Sequence, residues 1–297
     1  MHPSRLTDRS DSREGYAAVR DGRLFFRETG RGLPTIVLHG GPDFDHRYLL
    51  PELDRLSDVV RLVYYDQRGR GRSAPDTDPE TVTIASEIED LEGMRAHFGL
   101  ETVGLLGHSW GGLLALEYAI CHPHRVSHLI LMNSAPVSHD DLMLFRGSRA
   151  AADLEKLKAL AATARYEAGD LEADAEYYRI HFRAALHRPE HLEPLVARLR
   201  LGFTPASILK ARAIETRLYR QTWSSSHYDL LPQLARLSIP TLVIHGHLDL
   251  IPRVCAEHIA HAIPGARLVV LSDCGHFAYL ECPEEVRTAV AEFLGPR

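Results

Sequence analysis

The sequence predicts an open, mostly parallel α/β sheet with helices on both faces and one long helical insertion. Three observations point there. Short apolar runs bounded by Gly or Asp recur along the chain, helical patterns separate them, and the alternation stops between about residues 136 and 232. Continuous apolar runs suit strands buried on both faces of a parallel sheet. Alternation of strand and helix with right-handed crossovers then gives the open α/β class.

The elements follow in order. Residues 16–20 and 24–28 alternate in polarity around Asp21-Gly22 and read as an opening hairpin. The apolar runs are 34–38, 60–65, 102–106, 126–132, 240–244 and 268–271, and each predicts a strand. Helical spacing covers 82–98, 110–121, 254–262 and 283–294. The interval 136–232 is rich in Ala, Leu, Arg and Glu and contains no strand-like run. It reads as a helical cap over the strand ends, where open α/β sheets bind ligands. The domain plan is therefore a core of residues 16–135 and 233–297 with a cap of 136–232.

Composition narrows the function. The 297 residues are 45% hydrophobic and 25% charged, an ordinary globular balance. A net charge of −6 is no footprint for a nucleic-acid binder. No apolar run approaches the roughly 18 residues of a membrane span. Residues 1–15 are polar, with Arg5, Arg9 and Arg13 among Ser and Asp, and read as a short disordered tail on a cytoplasmic protein. Cys121, Cys255, Cys274 and Cys282 lack zinc-type spacing and read as free, mostly buried thiols. Nothing in the sequence speaks to oligomeric state, and the partner expected is a small molecule or short peptide.

Gly107-His108-Ser109-Trp110-Gly111 matches G-x-S-x-G, between the run 102–106 and the helical pattern 110–121. That strand–turn–helix setting is what an exposed serine nucleophile needs. The helix N-terminus adds free N–H groups and partial positive charge that favour a developing anion. A serine hydroxyl also needs a base oriented by a carboxylate. Asp249 follows the run 240–244, and His276 follows 268–271, so both fall at the sheet edge that carries Ser109. Two N–H donors must face the tetrahedral oxygen. Trp110, directly after the nucleophile, is one candidate, and Gly41 of His39-Gly40-Gly41-Pro42 is the other.

Two competing patterns lose to this one. His245-x-His247-x-Asp249 has metal-ligand spacing, but such sets usually continue with His where Leu250 stands, and a metal would leave Ser109 and His276 unexplained. The segment 66–73, Asp-Gln-Arg-Gly-Arg-Gly-Arg-Ser, lacks the glycine spacing and Lys-Ser/Thr ending of a phosphate loop. It reads as a turn in which Arg68 braces neighbouring loops and the arginines are mostly solvated. The expected chemistry needs no metal and no cofactor.

Together, His39-Gly-Gly-Pro42, the segment 66–73, Gly107-His-Ser-Trp-Gly-Gly112 and the loops of Asp249 and His276 resemble the α/β-hydrolase superfamily, and within it the proline iminopeptidases. The resemblance implies an eight-stranded sheet with a cap between the sixth strand and the next. It also implies a serine peptidase that releases N-terminal proline, or a relative acting on esters, lactones or amides. The family holds the substrate ammonium with carboxylates in and near the cap. Glu215 is the candidate in the cap, with Trp223 as a companion substrate-binding residue. Two positions depart from the pattern: Asp43 where glycine usually follows the proline, and Leu250 where a carboxylate commonly follows the catalytic Asp. Both favour a carboxylesterase as the alternative.

Overall fold

The computed structural model describes residues 12–73 and 75–295. Its strands are β1 (Arg13–Val19), β2 (Gly22–Thr29), β3 (Pro34–Leu38), β4 (Arg61–Tyr65), β5 (Val103–His108), β6 (Val126–Met132), β7 (Thr241–Gly246) and β8 (Arg267–Leu271). They form one sheet in the order β1-β2-β4-β3-β5-β6-β7-β8. The pairings β1–β2 and β2–β4 are antiparallel and the others parallel.

The apolar runs are continuous because both faces of the sheet are covered. Val37, Leu62, Tyr64, Leu106, Ile130, Leu242 and Ile244 pack on one side. Ile36, Leu38, Val63, Tyr65, Leu105, Leu129 and Val243 pack on the other. Successive side chains of a strand point to opposite faces, so neither side can be polar here. The helices α1 (Ile84–His97), α2 (Trp110–Cys121), α10 (Arg253–Ala262) and α12 (Pro283–Leu294) lie close to the predicted positions. Thr83 and Ser86 form a reciprocal capping box that starts α1.

Two expectations need correction. The first strand begins at Arg13, so residues 13–15 belong to the hairpin and not to a tail; residues 1–11 lie outside the described part. An edge strand needs no apolar run, because cross-strand polar pairs can hold it. Arg13 stands opposite Glu28 and lies over the Phe26 ring. The arginines of the 66–73 turn are not mostly solvated either. Arg68 pairs in a fork with Asp90 and Arg70 with Glu87, both carboxylates on α1, and both guanidinium groups are buried. Arg72 alone of the three keeps a partly exposed head, near Glu14.

Between β6 and β7 the insertion forms α3 (His139–Ser148), α4 (Ala151–Ala161), α5 (Ala164–Glu167), α6 (Leu171–Phe182), α7 (Leu192–Leu199) and α8 (Pro205–Gln221). A single antiparallel bridge, Ser138 to Asp229, draws its two ends together. The short α9 (Leu231–Leu234) spans the expected boundary and packs its Leu234 on the core. The short helix α11 (Ala278–Glu281) follows the His276 loop and precedes α12. Cys121 is exposed, the other three cysteines are buried, and all four are free.

Candidate functional site

The turn at Ser109 is built by exclusion of side chains around it. Ser109 is the single residue between β5 and α2, at φ 54° and ψ −120°. A non-glycine residue there is strained by about 1–3 kcal/mol and must be held in place. A Cβ on Gly107 would run into the Gly111 carbonyl, and one on Gly111 into the Leu38 carbonyl of β3. The backbone is pinned as well. Ser109 N–H donates to Met132 O at 3.1 Å, and its carbonyl accepts from Gly112 and Ala135, each at 2.9 Å.

Asp249 and His276 meet across 27 residues of chain. His276 Nδ1 lies 2.9 Å from Asp249 Oδ1, with the carboxylate fully buried. Oδ1 also accepts from Ile251 N–H at 2.9 Å, and Oδ2 from Asn133 Nδ2 at 2.8 Å. Burial pushes the Asp249 carboxyl up, but the adjacent His276, His245 and the Ile251 N–H together outweigh it and leave it below the ordinary carboxylate range. The His276 loop is itself tied down. Its N–H donates to Ala185 O of the insertion at 2.7 Å, and Gly275 N–H donates to the buried Glu281 at 2.8 Å.

A second relay runs from the early loop to the same histidine. Gly40 N–H donates to Tyr48 Oη at 2.8 Å, Tyr48 Oη lies 2.7 Å from His108 Nδ1, and His108 Nε2 lies 2.9 Å from the His276 carbonyl. A carbonyl only accepts, so His108 carries its proton on Nε2 and takes one from Tyr48 on Nδ1. Burial first, then the nearby His276, holds the His108 imidazole down to about 3 and therefore neutral.

Gly41 stands at φ +117°, where a Cβ would strike Asp43 N, and only glycine fits. It lines one pocket with Ser109 and His276. The Trp110 N–H belongs to the first residue of α2 and so has no partner within the helix. The Trp110 ring is fully buried and meets Trp223 edge-to-face at 5.5 Å.

The pocket has a volume of about 400 Å³ and is mainly apolar, with Phe44, Leu142, Phe145, Leu157 and Phe182 among its walls. Glu215 and Trp223 both line it, as does Leu250. Burial first, then the charge of Asp43, pushes the Glu215 carboxyl up to about 8, against the pull of Tyr219, Arg200 and Arg212. The indole N–H of Trp223 is spent on Pro136 O at 2.9 Å, so Trp223 offers the pocket hydrocarbon only.

Asp43 has a structural role. Its Oδ2 accepts from Tyr178 Oη at 2.5 Å and Arg200 Nη2 at 2.6 Å, and its carbonyl accepts from Arg200 Nη1 at 3.1 Å. Arg200 continues to Asp174, and Asp174 to Arg212. A buried chain of four charges thus clamps the loop of Gly41 to the insertion. The metal-ligand spacing at 245–249 does not converge: His247 is exposed, His245 Nδ1 is 3.6 Å from Asp249, and its Nε2 lies 3.1 Å from Ile251 O. Asp45, His46 and Asp66 do bring possible ligand atoms together. His46 and Asp66 already bond each other at 2.6 Å, and Asp45 is taken by Arg47.

Asn133, Tyr48, His108, Glu281 and Arg200 were not singled out by sequence reasoning. Asn133 carried the one usable signal, a polar residue directly after an apolar run, at a position that adopts φ 48°.

Similarity to known proteins identifies the family. The α/β hydrolase fold family matches residues 34–283. The chain is 27% identical to the proline iminopeptidase of Lactobacillus crispatus (strain ST1), over 95% of this chain and 97% of the relative. Among solved structures it is similar to the proline iminopeptidase of Mycobacterium smegmatis, at 25% identity and a TM-score of 0.69, covering 95% of this chain and 97% of the other. It is equally similar to a thermophilic esterase from Thermogutta terrifontis, at 27% identity and a TM-score of 0.70, covering 95% and 98%. The chain belongs to the α/β-hydrolase fold family and is proline iminopeptidase-like in sequence and structure.

Proposed function

We propose that the chain is a serine hydrolase that cleaves an amide or ester bond through an acyl-enzyme, and that its substrates are peptides with N-terminal proline. The carrying observation is the 2.9 Å contact of His276 with buried Asp249, at a pocket that also exposes Ser109. Ser109 Oγ attacks the carbonyl carbon and His276 Nε2 takes its proton. Asp249 holds the Nδ1–H tautomer and stabilises the imidazolium. The N–H groups of Gly41 and Trp110 receive the oxyanion. His276 returns the proton to the leaving amine or alcohol, then deprotonates the water that releases the acyl group.

The amine end is assigned to Glu215, which among the described residues has no ion-pair partner and which lines an apolar pocket. Binding an ammonium there stabilises the ionised carboxylate. The helical insertion 136–232 acts as the cap that excludes water, with the Trp223 indole walling the acyl site. The setting is cytoplasmic, and no described helix is long and apolar enough to cross a membrane.

Leu250 favours a second reading. It lines the pocket where the related peptidases commonly carry another carboxylate, and an uncharged wall suits a neutral acyl chain. Rates on a prolyl arylamide, an alanyl arylamide and a short-chain p-nitrophenyl ester, in wild type and Glu215→Gln, separate the two. A dominant prolyl rate that Glu215→Gln lowers by about tenfold or more upholds the peptidase. Ester turnover with negligible prolyl activity upholds the esterase.

A further inference from the structure

Arg149, a cation in the pocket, makes no hydrogen bond or ion pair to a carboxylate among the described residues. Arg149, in the turn between α3 and α4, is half-buried and lines both the Ser109 pocket and a second cavity of about 380 Å³. The two cavities share Arg149, His181 and Leu250 as walls. Among the described residues the Arg149 guanidinium meets no Asp or Glu. Its Nη1 lies 3.4 Å from His181 Nδ1, and its centre is 5.8 Å from the Phe145 ring. Asp153, the acid nearest along the chain and a wall of the second cavity, acts on Arg149 by charge but is hydrogen-bonded to Arg183 at 2.5 Å.

His181 is no counter-ion. Burial first, then the charge of Arg149, holds its imidazole down to about 3, so it is neutral. With Nδ1 facing a guanidinium donor, the ring proton is assigned to Nε2, and the ring presents a further N–H. The contrast with the rest of the molecule is sharp: buried Arg68, Arg70 and Arg200 each have a carboxylate within hydrogen-bond reach. A half-buried guanidinium beside an apolar cavity has given up water for one long contact to a neutral imidazole, and a planar carboxylate fits its remaining paired donors.

We propose that Arg149, with His181 beside it, forms a carboxylate-binding subsite, and that the substrates are dipeptides with a free C-terminal carboxylate on the leaving residue. This rests on the peptidase reading above. Burial first, then the charges of Glu215 and Asp43, pushes up the hydroxyl of Tyr177, another wall of the pocket, against the pull of Arg149 and Arg212. One pocket therefore holds a carboxyl that a bound ammonium would ionise and a cationic guanidinium. A dipeptide carries its ammonium and carboxylate on a backbone of only about 7 Å. Arg146 and Lys158 also line the pocket; Lys158 is paired with Glu155, and Arg146 is exposed.

The test measures kcat/KM for Pro-Ala as the free acid and as the C-terminal amide, in wild type, Arg149→Met and Arg149→Lys. Fluorophosphonate labelling of Ser109 checks that each variant is folded. Wild type should prefer the acid by about tenfold or more, the scale of a hydrogen bond to a charged group. Arg149→Met should bring the acid-to-amide ratio near one, and Arg149→Lys should keep part of it. Equal falls on acid and amide, or no wild-type preference, would overturn the subsite. Should no prolyl substrate turn over, the peptidase reading fails by itself. The pair 4-acetoxybenzoate and 4-acetoxybenzamide then asks the same question of Arg149. A benzoate preference that Arg149→Met removes upholds the carboxylate subsite, and equal rates overturn it.

Discussion

Arg200→Met is the substitution that tests the clamp between the Gly41 loop and the insertion. Arg200 is 7% exposed; it serves the Asp43 carboxylate and carbonyl on one side and Asp174 on the other. Removing it leaves Asp43 buried with only the Tyr178 hydroxyl, while Asp174 keeps Arg212. Breaking a buried pair by deleting one partner costs about 3–5 kcal/mol. Unfolding entropy is about 2.1 cal/mol/K per residue, or roughly 0.6 kcal/mol/K for 297 residues, so 3 kcal/mol lowers Tm by about 5 °C. Calorimetry at neutral pH reads this directly. The companion variant Asp43→Leu/Arg200→Met should recover part of the loss, because no uncompensated charge then remains at Asp43. Both variants free the loop that carries Gly41, so kcat should fall by more than KM rises. A drop of under 1 °C, or strictly additive losses in the double variant, would refute the clamp.

Other substitutions reach the site itself. Ser109→Ala should keep the fold and lower turnover by at least about a thousandfold, and near-normal rates in that variant would sink the mechanism. Asn133→Ala strips Asp249 of its 2.8 Å donor and should cost about 10- to 100-fold in kcat, whereas a change confined to KM would contradict its assignment. Glu215 makes a stability prediction of definite sign. Its carboxyl is pushed up to about 8 in the fold, against an ordinary 4.5 in the unfolded chain. The folded state therefore holds the extra proton, and wild type loses stability as pH rises from about 4.5 to 8. Glu215→Gln should match wild type in Tm near pH 4 and exceed it increasingly up to pH 8; a gap that ignores pH would count against this.

What was legible in the sequence was what short-range pattern encodes. The run 34–38 and the helix 110–121 coincide with their predicted bounds, because the first opens at Pro34 and stops before His39-Gly40-Gly41, and the second lies between Ser109 and His122-Pro123. Ser109, Asp249 and His276 were accessible for a related reason: strand-end position and chain order place all three at one edge. Partnerships across long sequence distance left no such trace. Arg70 looks solvated until α1 brings Glu87 beneath it, and Asp43 looks like a substrate determinant until Arg200 arrives from 157 residues away. Glu281 lies outside every predicted helix and carries no local signal, yet it accepts from Gly275 N–H and from Arg188 N–H of the insertion. Each depends on tertiary proximity, which neither periodicity nor local propensity records.

The neck at Ser138 and Asp229 makes the insertion resemble a cassette, entering and leaving the core at one point. A cassette of that kind could be exchanged during evolution without re-registering a strand. Here exchange would not be neutral, because the insertion lends the core a carbonyl at Ala185 for the backbone of His276 and a guanidinium at Arg200 for the loop of Gly41. An incoming cassette must bring replacements for both. Specificity and catalytic competence are therefore inherited together in this scaffold, and a graft that alters the pocket while omitting those two stitches would yield a folded but slack enzyme.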